Sequence, residues 1–193
     1  MAGGPVTRNT AAVSLGLAQV RIGASLANIA STGVVLTDDD SIGSLATTKW
    51  NSAIEIWKHE SGFPLKEDVS IPIREAAAME VSFEEITPYN MALARGLDPA
   101  SYSKTAFSGE IGLGSLSSPE FIRMEAIYTY PNGVNTMNIV FPRAQVTSSP
   151  ELDLQKEDNA KPVITIEAKQ ASSSISGGNA AWDAMPLGRI YWA

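Results

Sequence analysis

Apolar and polar residues alternate along most of this chain, and the alternation marks a succession of strands rather than helices. Val13, Leu15 and Leu17 stand between Ser14, Gly16 and Ala18, and after a slip the phase resumes at Val20 and Ile22, which predicts a first strand. Residues 24–48, rich in Ala, Ser, Thr and Gly with Asp38, Asp39 and Asp40 among them, read as a long excursion. Trp50, Ile54 and Ile56 then alternate with Asn51 and Glu55, and a Ser61-Gly62 turn leads through Phe63-Pro64-Leu65 into a second alternating run. That run places Val69, Ile71, Ile73, Met79, Val81 and Phe83 against Ser70, Arg74, Glu80, Ser82 and Glu84, which predicts a half-buried strand with an interruption near Ala76–Ala78.

One segment breaks the period. Thr87 is a good N-cap, Pro88 sits where its missing N–H costs nothing, Ile86 and Met91 are spaced as a hydrophobic staple, and Gly96 can take the left-handed stop. A short helix within about residues 87–96 follows, and it needs a sheet to pack on. Beyond it, Lys104–Leu113 is a strand candidate, and Phe121–Tyr130, Pro131-Asn132-Gly133 and Val134–Val146 form a hairpin signature in which Asn-Gly supplies the positive φ of the turn. Further strands are expected at Glu151–Leu154 and Pro162–Lys169, then a polar loop over Ser172–Asn179 and an apolar, aromatic end at Leu187–Trp192. The pattern predicts a mainly β fold, a β-sandwich or partly closed β-barrel with one short flanking α-helix. Its expected organisation is a flexible N-terminal arm over residues 1–11 and a single β domain over 12–193, with an extended loop or hairpin at 38–68.

Composition narrows the chemistry. The 193 residues suit one domain with a real core; 44% are hydrophobic and 18% charged, which disfavours general disorder. The formal charge of -7 and the lack of any Lys/Arg cluster argue against a protein that grips phosphates. There is no cysteine, so disulfides, thiolate metal sites and cysteine nucleophiles are excluded together. Met1–Arg8 does not read as a secretory signal, and no run approaches the roughly 20 apolar residues of a membrane helix, so no membrane insertion by this chain is expected.

Candidate catalytic groups are sparse. His59 is the single histidine and lies between Lys58 and Glu60 with no Gly-x-Ser-x-Gly elbow in the chain, so it reads as a surface residue. Asp38-Asp39-Asp40 lacks the spaced ligands of a calcium loop, and the glycine-rich Gly109–Gly114 lacks the Lys-Ser/Thr of a phosphate loop. Glu84-Glu85 suits the positive end of the following helix. The four tryptophans read as core or interface anchors before they read as a sugar platform. No catalytic residue, metal ligand or cofactor is assigned.

Taken in order, several stretches resemble the major tail tube proteins of tailed bacteriophages. They are Trp50–Lys58 with His59-Glu60-Ser61-Gly62-Phe63-Pro64-Leu65, the long strand Ile71–Glu85, and Ile86-Thr87-Pro88-Tyr89-Asn90-Met91-Ala92-Leu93-Ala94. Ser149-Pro150-Glu151-Leu152-Asp153-Leu154 and the closing Gly188-Arg189-Ile190-Tyr191-Trp192 are similar to the same family. The resemblance implies a barrel or sandwich with a flanking helix, six copies of which close into a ring with a continuous β wall. Rings would stack through the 38–68 element, with Trp50, Trp57, Phe63 and Leu65 as inter-ring candidates, although Trp50 and Ile54 could equally fill the subunit's own core. The implied partners are further copies of the chain and the tail tip, terminator and tape-measure proteins, in a virion tail assembled in the host bacterial cytoplasm. DNA would pass through without specific binding. Glu80, Glu84, Glu110 and Glu125 fall on polar strand positions and are candidates for an acidic lumen.

The same fold serves contractile injection and type VI-like secretion tubes, so fold alone does not fix the machine. Two readings come from other classes: a β-sandwich glycan-binding module using exposed aromatics, and a metal-independent hydrolase centred on His59.

Overall fold

The computed structural model describes residues 16, 18–63, 66–106, 108–114, 118–148, 150–154 and 160–193. Its strands are β1 (Gln19–Ala24), β2 (Leu45–Ser61), β3 (Lys66–Phe83), β4 (Ile122–Thr129), β5 (Thr136–Val146), β6 (Val163–Ala168) and β7 (Arg189–Trp192), with short helices α1 (Ser25–Asn28) and α2 (Pro88–Ala94). All seven strands belong to one antiparallel sheet in the order β1-β4-β5-β6-β3-β2, with β7 also on β5. β5 is the fold line. Its first half pairs with β7 from Met137 to Val140 and its second half with β6 from Ala144 to Val146, and Pro142, which has no N–H to give a ladder, lies between them. The β4–β5 register also shifts there, between Ile122 and Met124, so the strand bends and the sheet folds over on itself.

The two ends of the sheet approach each other without closing. Ser41 bridges Arg21, Ile42 N–H donates to the Val20 carbonyl at 3.1 Å, and Ala18 N–H reaches Thr48 Oγ1 at 3.4 Å. Inside lies the main core, with Val20, Ile22, Met79, Val81, Phe83, Met124, Phe141, Ile164 and Ile166 among its members. α2 covers it as its sequence predicts. Thr87 accepts a hydrogen bond from Asn90 N–H, Pro88 opens the helix, Gly96 takes φ 71°, and Tyr89, Leu93 and Ala94 face the core. Asn90 Nδ2 donates to the Ile42 and Glu85 carbonyls at 2.9 and 2.7 Å, tying the helix to both flanking segments.

Three expectations need correction. No strand forms among the described residues of Lys104–Leu113, where Gly109, Gly112 and Gly114 give the backbone nothing to pack, nor at Glu151–Leu154. β3 is not interrupted at Ala76–Ala78; those residues mark the place where it leaves the body of the sheet. Residues 1–11 and most of the proposed 13–17 start of the first strand lie outside the described residues.

The outer face of β4 carries a feature that alternation alone does not announce. Arg123 and Glu125 are completely buried, with Arg123 Nε donating to Glu125 Oε1 at 2.6 Å. The remaining guanidinium nitrogens donate to the carbonyls of Asn28, Ser31 and Gly33, and the Glu125 carboxylate accepts from Val35 and Leu36 N–H. The pair therefore supplies hydrogen bonds to an irregular segment that has no ladder of its own. Beside it, Trp182 packs with Val140 and Ala171 in a second small core and donates from its indole N–H to the Ile29 carbonyl at 2.6 Å. No helix among the described residues is long and apolar enough to cross a membrane.

Candidate functional site

β2 and β3 pair along their whole length, from Leu45 opposite Phe83 to Ser61 opposite Lys66, whereas β6 supports β3 only from Ala78 to Ser82. Beyond Ala77 the two strands leave the sheet as a free ribbon about 30 Å long at the usual rise per residue. It is exposed on both faces, with Ile54, Ile56, Trp57, Val69, Ile71 and Ile73 among the large apolar side chains in water, Trp50 exposed at its root and Phe63 at its tip fully so, at 102%. Isolated surface apolars need no explanation, but so many on one two-stranded element are unusual for a surface in water.

The register explains why both faces are apolar. Trp50 lies opposite Met79 and Thr48 opposite Val81, so even positions of β2 share the face that continues into the core. The register slips between Glu55 and Ile56, and below that point Trp57 lies opposite Ile71 and His59 opposite Val69. The extra residue in β3 moves Val69 and Ile71 to the back face, while Ile54 and Ile56 keep the front. Pro72, opposite Ile56, sits at the slip, where a missing N–H is tolerated.

Bonds across the ribbon stiffen its tip. Lys58 Nζ donates to Glu67 at 2.7 Å, and Asp68 holds His59 Nδ1 through one oxygen and the Ser61 hydroxyl through the other, each at 2.7 Å. The Trp57 and His59 rings are 5.9 Å apart. Ser61 is thus bonded to the carboxylate rather than to the imidazole, so the three residues form a brace and not a nucleophile-base pair. The hydrogen bonds from His59 and then Ser61 hold the Asp68 carboxyl below its ordinary 3.8, and Lys58 does the same for Glu67. Because both carboxyls are depressed in the folded ribbon, their contribution is present above the ordinary carboxylate values and fades as pH falls through the folded ones. Acid titration followed at the Trp57 indole proton by NMR is expected to show tip loosening below the ordinary carboxylate range, and Asp68→Asn should remove the part that Asp68 carries and leave that of Glu67.

Trp57 and Phe63 are on the ribbon and Trp50 is at its root, in β2 opposite Met79 and on the other face from Trp57; Leu65 lies outside the described residues. Trp50 and Ile54 are exposed, so they do not fill the subunit's own core. The acidic candidates are not gathered in the same way. Glu80 is on the non-core face of β3, Glu84 follows the strand and accepts from the Ser44 hydroxyl, and Glu110 is in an exposed stretch without strand structure. Glu125 is buried against Arg123 and offers no charge to any channel, which corrects its expected place on an exposed polar face. Asp38–Asp40 form an exposed 3-10 turn in which Asp38 pairs with Arg21, and no group of three potential metal ligands occurs among the described residues.

Sequence reading missed a concavity at the other end of β3. A cavity of about 360 Å³ is lined by Tyr89, Pro99, Ala100, Tyr102, Phe121 and Ile122, with Asp40, Asp98, Lys104 and Glu120 also on its wall. Tyr89 donates to the Ile22 carbonyl at 3.2 Å, and the Lys104 ammonium, bonded to the Asp39 carbonyl, stands 4.6 Å from the Tyr89 ring centre. Burial, reinforced by Asp40 and Asp98, raises the Tyr89 phenol far above its ordinary value, so it stays a neutral donor.

No family model matches the chain, and no curated protein matches it. Among solved structures, a chain of the sheath-tube complex of an extracellular contractile injection system (PVC, extended state) is similar at 14% identity and TM-score 0.43, covering 92% of this chain and 88% of that one. The cap that terminates the tube of the anti-feeding prophage is similar at 13% identity and TM-score 0.42, covering 100% and 99%. Likeness at this level decides neither fold nor function.

Proposed function

We propose that this chain is a non-catalytic building block that stacks with copies of itself into a tube, as the phage tail tube subunit of a virion does. The reading is supported by one observation: a ribbon apolar on both faces that projects from the sheet with nothing among the described residues to cover it. Leaving that much apolar surface in water is costly, and a second copy is the partner always present at equal concentration. Among the described residues, the outer edge of β2 and the edge of β3 from Lys66 to Ala77 have no strand beside them, and neighbouring strands can satisfy such edges, which favours ring closure with a shared β wall.

In this reading six copies form each ring, the ribbon with Trp50, Trp57, Phe63 and Leu65 reaches the next ring, and residues 1–11 order against a neighbour. Tail tip, terminator and tape-measure proteins complete the assembly, which forms in the host cytoplasm. Net charge of -7 gives a conduit that DNA can slide through with little phosphate contact, with Glu80, Glu84 and Glu110 as the lumen candidates that remain. Negative-stain microscopy over a concentration series is expected to show rings and then tubes; a chain that stays monomeric at the highest concentration would overturn the proposal.

A further inference from the structure

We infer that the seat for the ribbon tip is the cavity beneath Tyr89 on the next copy, with Phe63 as the side chain that fills it. This rests on the self-assembly reading above and names its acceptor. Tip and cavity lie beyond opposite ends of one strand, since β3 begins just after Phe63 and ends at Phe83, with Tyr89 a short turn further on. Donor and acceptor at opposite ends make the contact heterologous, so each copy that receives a tip still offers one, and the contact propagates along an axis.

The chemistry matches on both sides. Phe63 is a fully exposed aromatic ring, carried on a turn that Gly62 closes with φ 85°. The cavity offers Tyr89, Pro99, Tyr102, Phe121 and Ile122 as apolar and aromatic walls and is large enough for the ring. The carboxylates of Asp98 and Glu120 on its wall suit the electropositive edge of an aromatic ring. Charge also decides which part of the surface can approach. Two chains of net charge -7 repel on average, but from Lys58 to Asp68 two lysines stand against three acids, Lys58 and Glu67 form an ion pair, and the Asp68 carboxylate is hydrogen-bonded to His59 and Ser61. The near-neutral tip enters an acid-lined cavity without the repulsion the rest of the molecule would bring.

The absence of cysteine gives a clean test. In the full chain, Ser61→Cys beside the tip and Ala100→Cys on the cavity wall keep Phe63 in place, and a short bis-maleimide bridges thiols without demanding disulfide geometry. The double variant is expected to give a covalent ladder of multimers under assembling conditions, each single variant none, and Phe63→Ala added to the double variant should abolish the ladder. A second arm mixes Phe63→Ala, which lacks the tip, with Ala100→Trp, which blocks the cavity. Each alone should fail to stack, and the mixture should yield two-tier species that do not grow. Tubes without a ladder, a cross-linked dimer with Ser61→Cys alone, or normal stacking by Ala100→Trp would overturn this seat and leave self-assembly standing. A wild-type chain that never assembles would sink both.

Discussion

Replacing residues 54–75 by an Asn-Gly turn between Ala53 and Ala76 should abolish assembly and leave the body of the protein as stable as before. Ala53 and Ala76 are directly paired, so a two-residue turn can join them without changing the register behind them. None of the removed side chains belongs to either buried core, and the tip's ion pairs and hydrogen bonds close on themselves within the ribbon. The shortened chain should therefore unfold within about 2 °C of the parent, a shift equivalent to at most about 1 kcal/mol for a domain of this size. Scanning calorimetry and light scattering on the same samples measure the two halves of the prediction. A milder variant, Ile71→Glu, places a charge opposite Trp57 at an exposed site, where the stability change should stay within about 0.5 kcal/mol while stacking is lost. A large drop in melting temperature for the shortened chain would mean that the ribbon supports the fold, and the assembly role would lose its footing.

The second large effect lies at the opposite extreme of burial. Arg123→Met is expected to destabilise the chain by about 3–5 kcal/mol, because it leaves the Glu125 carboxylate buried without a counter-charge. It also strands the carbonyls of Asn28, Ser31 and Gly33, which the guanidinium satisfies. Pairing it with Glu125→Leu removes the lone charge and should restore part of the loss. Recovery stays incomplete, since the N–H groups of Val35 and Leu36 then have no acceptor. Denaturant midpoints for the three variants form a double-mutant cycle; near-additive losses for the two single variants would refute the clamp.

These two predictions divide along the line between what the sequence discloses and what it conceals. The helix was legible because every signal is local: Thr87, Pro88 and Gly96 each act on the backbone within a turn. The β4–β5 hairpin was legible for the same reason, although its turn is wider than the two-residue type, with Tyr130 N–H reaching the Asn135 carbonyl and Asn132 Oδ1 accepting from Val134 and Asn135. Arg123 and Glu125 were not legible. They alternate with Ile122, Met124 and Ala126 as an exposed polar face would, and only the distant segment Asn28–Leu36 turns that face into interior.

The ribbon shows the converse. Val69 and Ile71 share the odd-number phase of Met79 and Val81, so periodicity assigns them to one face, whereas the slip at Glu55–Ile56 sends the two groups to opposite sides. Alternation reports that a strand has a greasy side; it does not report whether that side meets the same molecule or another. The cavity under Tyr89 was invisible for a simpler reason, since its wall is drawn from β1, α2, the Asp98–Lys104 stretch and the start of β4, which only the fold brings together.

Pairing in this sheet joins stretches that are made far apart in time. Gln19–Ala24 must wait for Ile122–Ile127, and Ala78–Ser82 for Val163–Glu167, so the ribosome releases the sticky hairpin long before the strands that anchor its root exist. The sheet is therefore completed only after Val163–Glu167 has been made, and folding is slowed by the wide separation of its contacts. The newborn hairpin is in the meantime a hazard at high expression levels, so yield should improve with slower translation or with a chaperone that shields extended apolar segments.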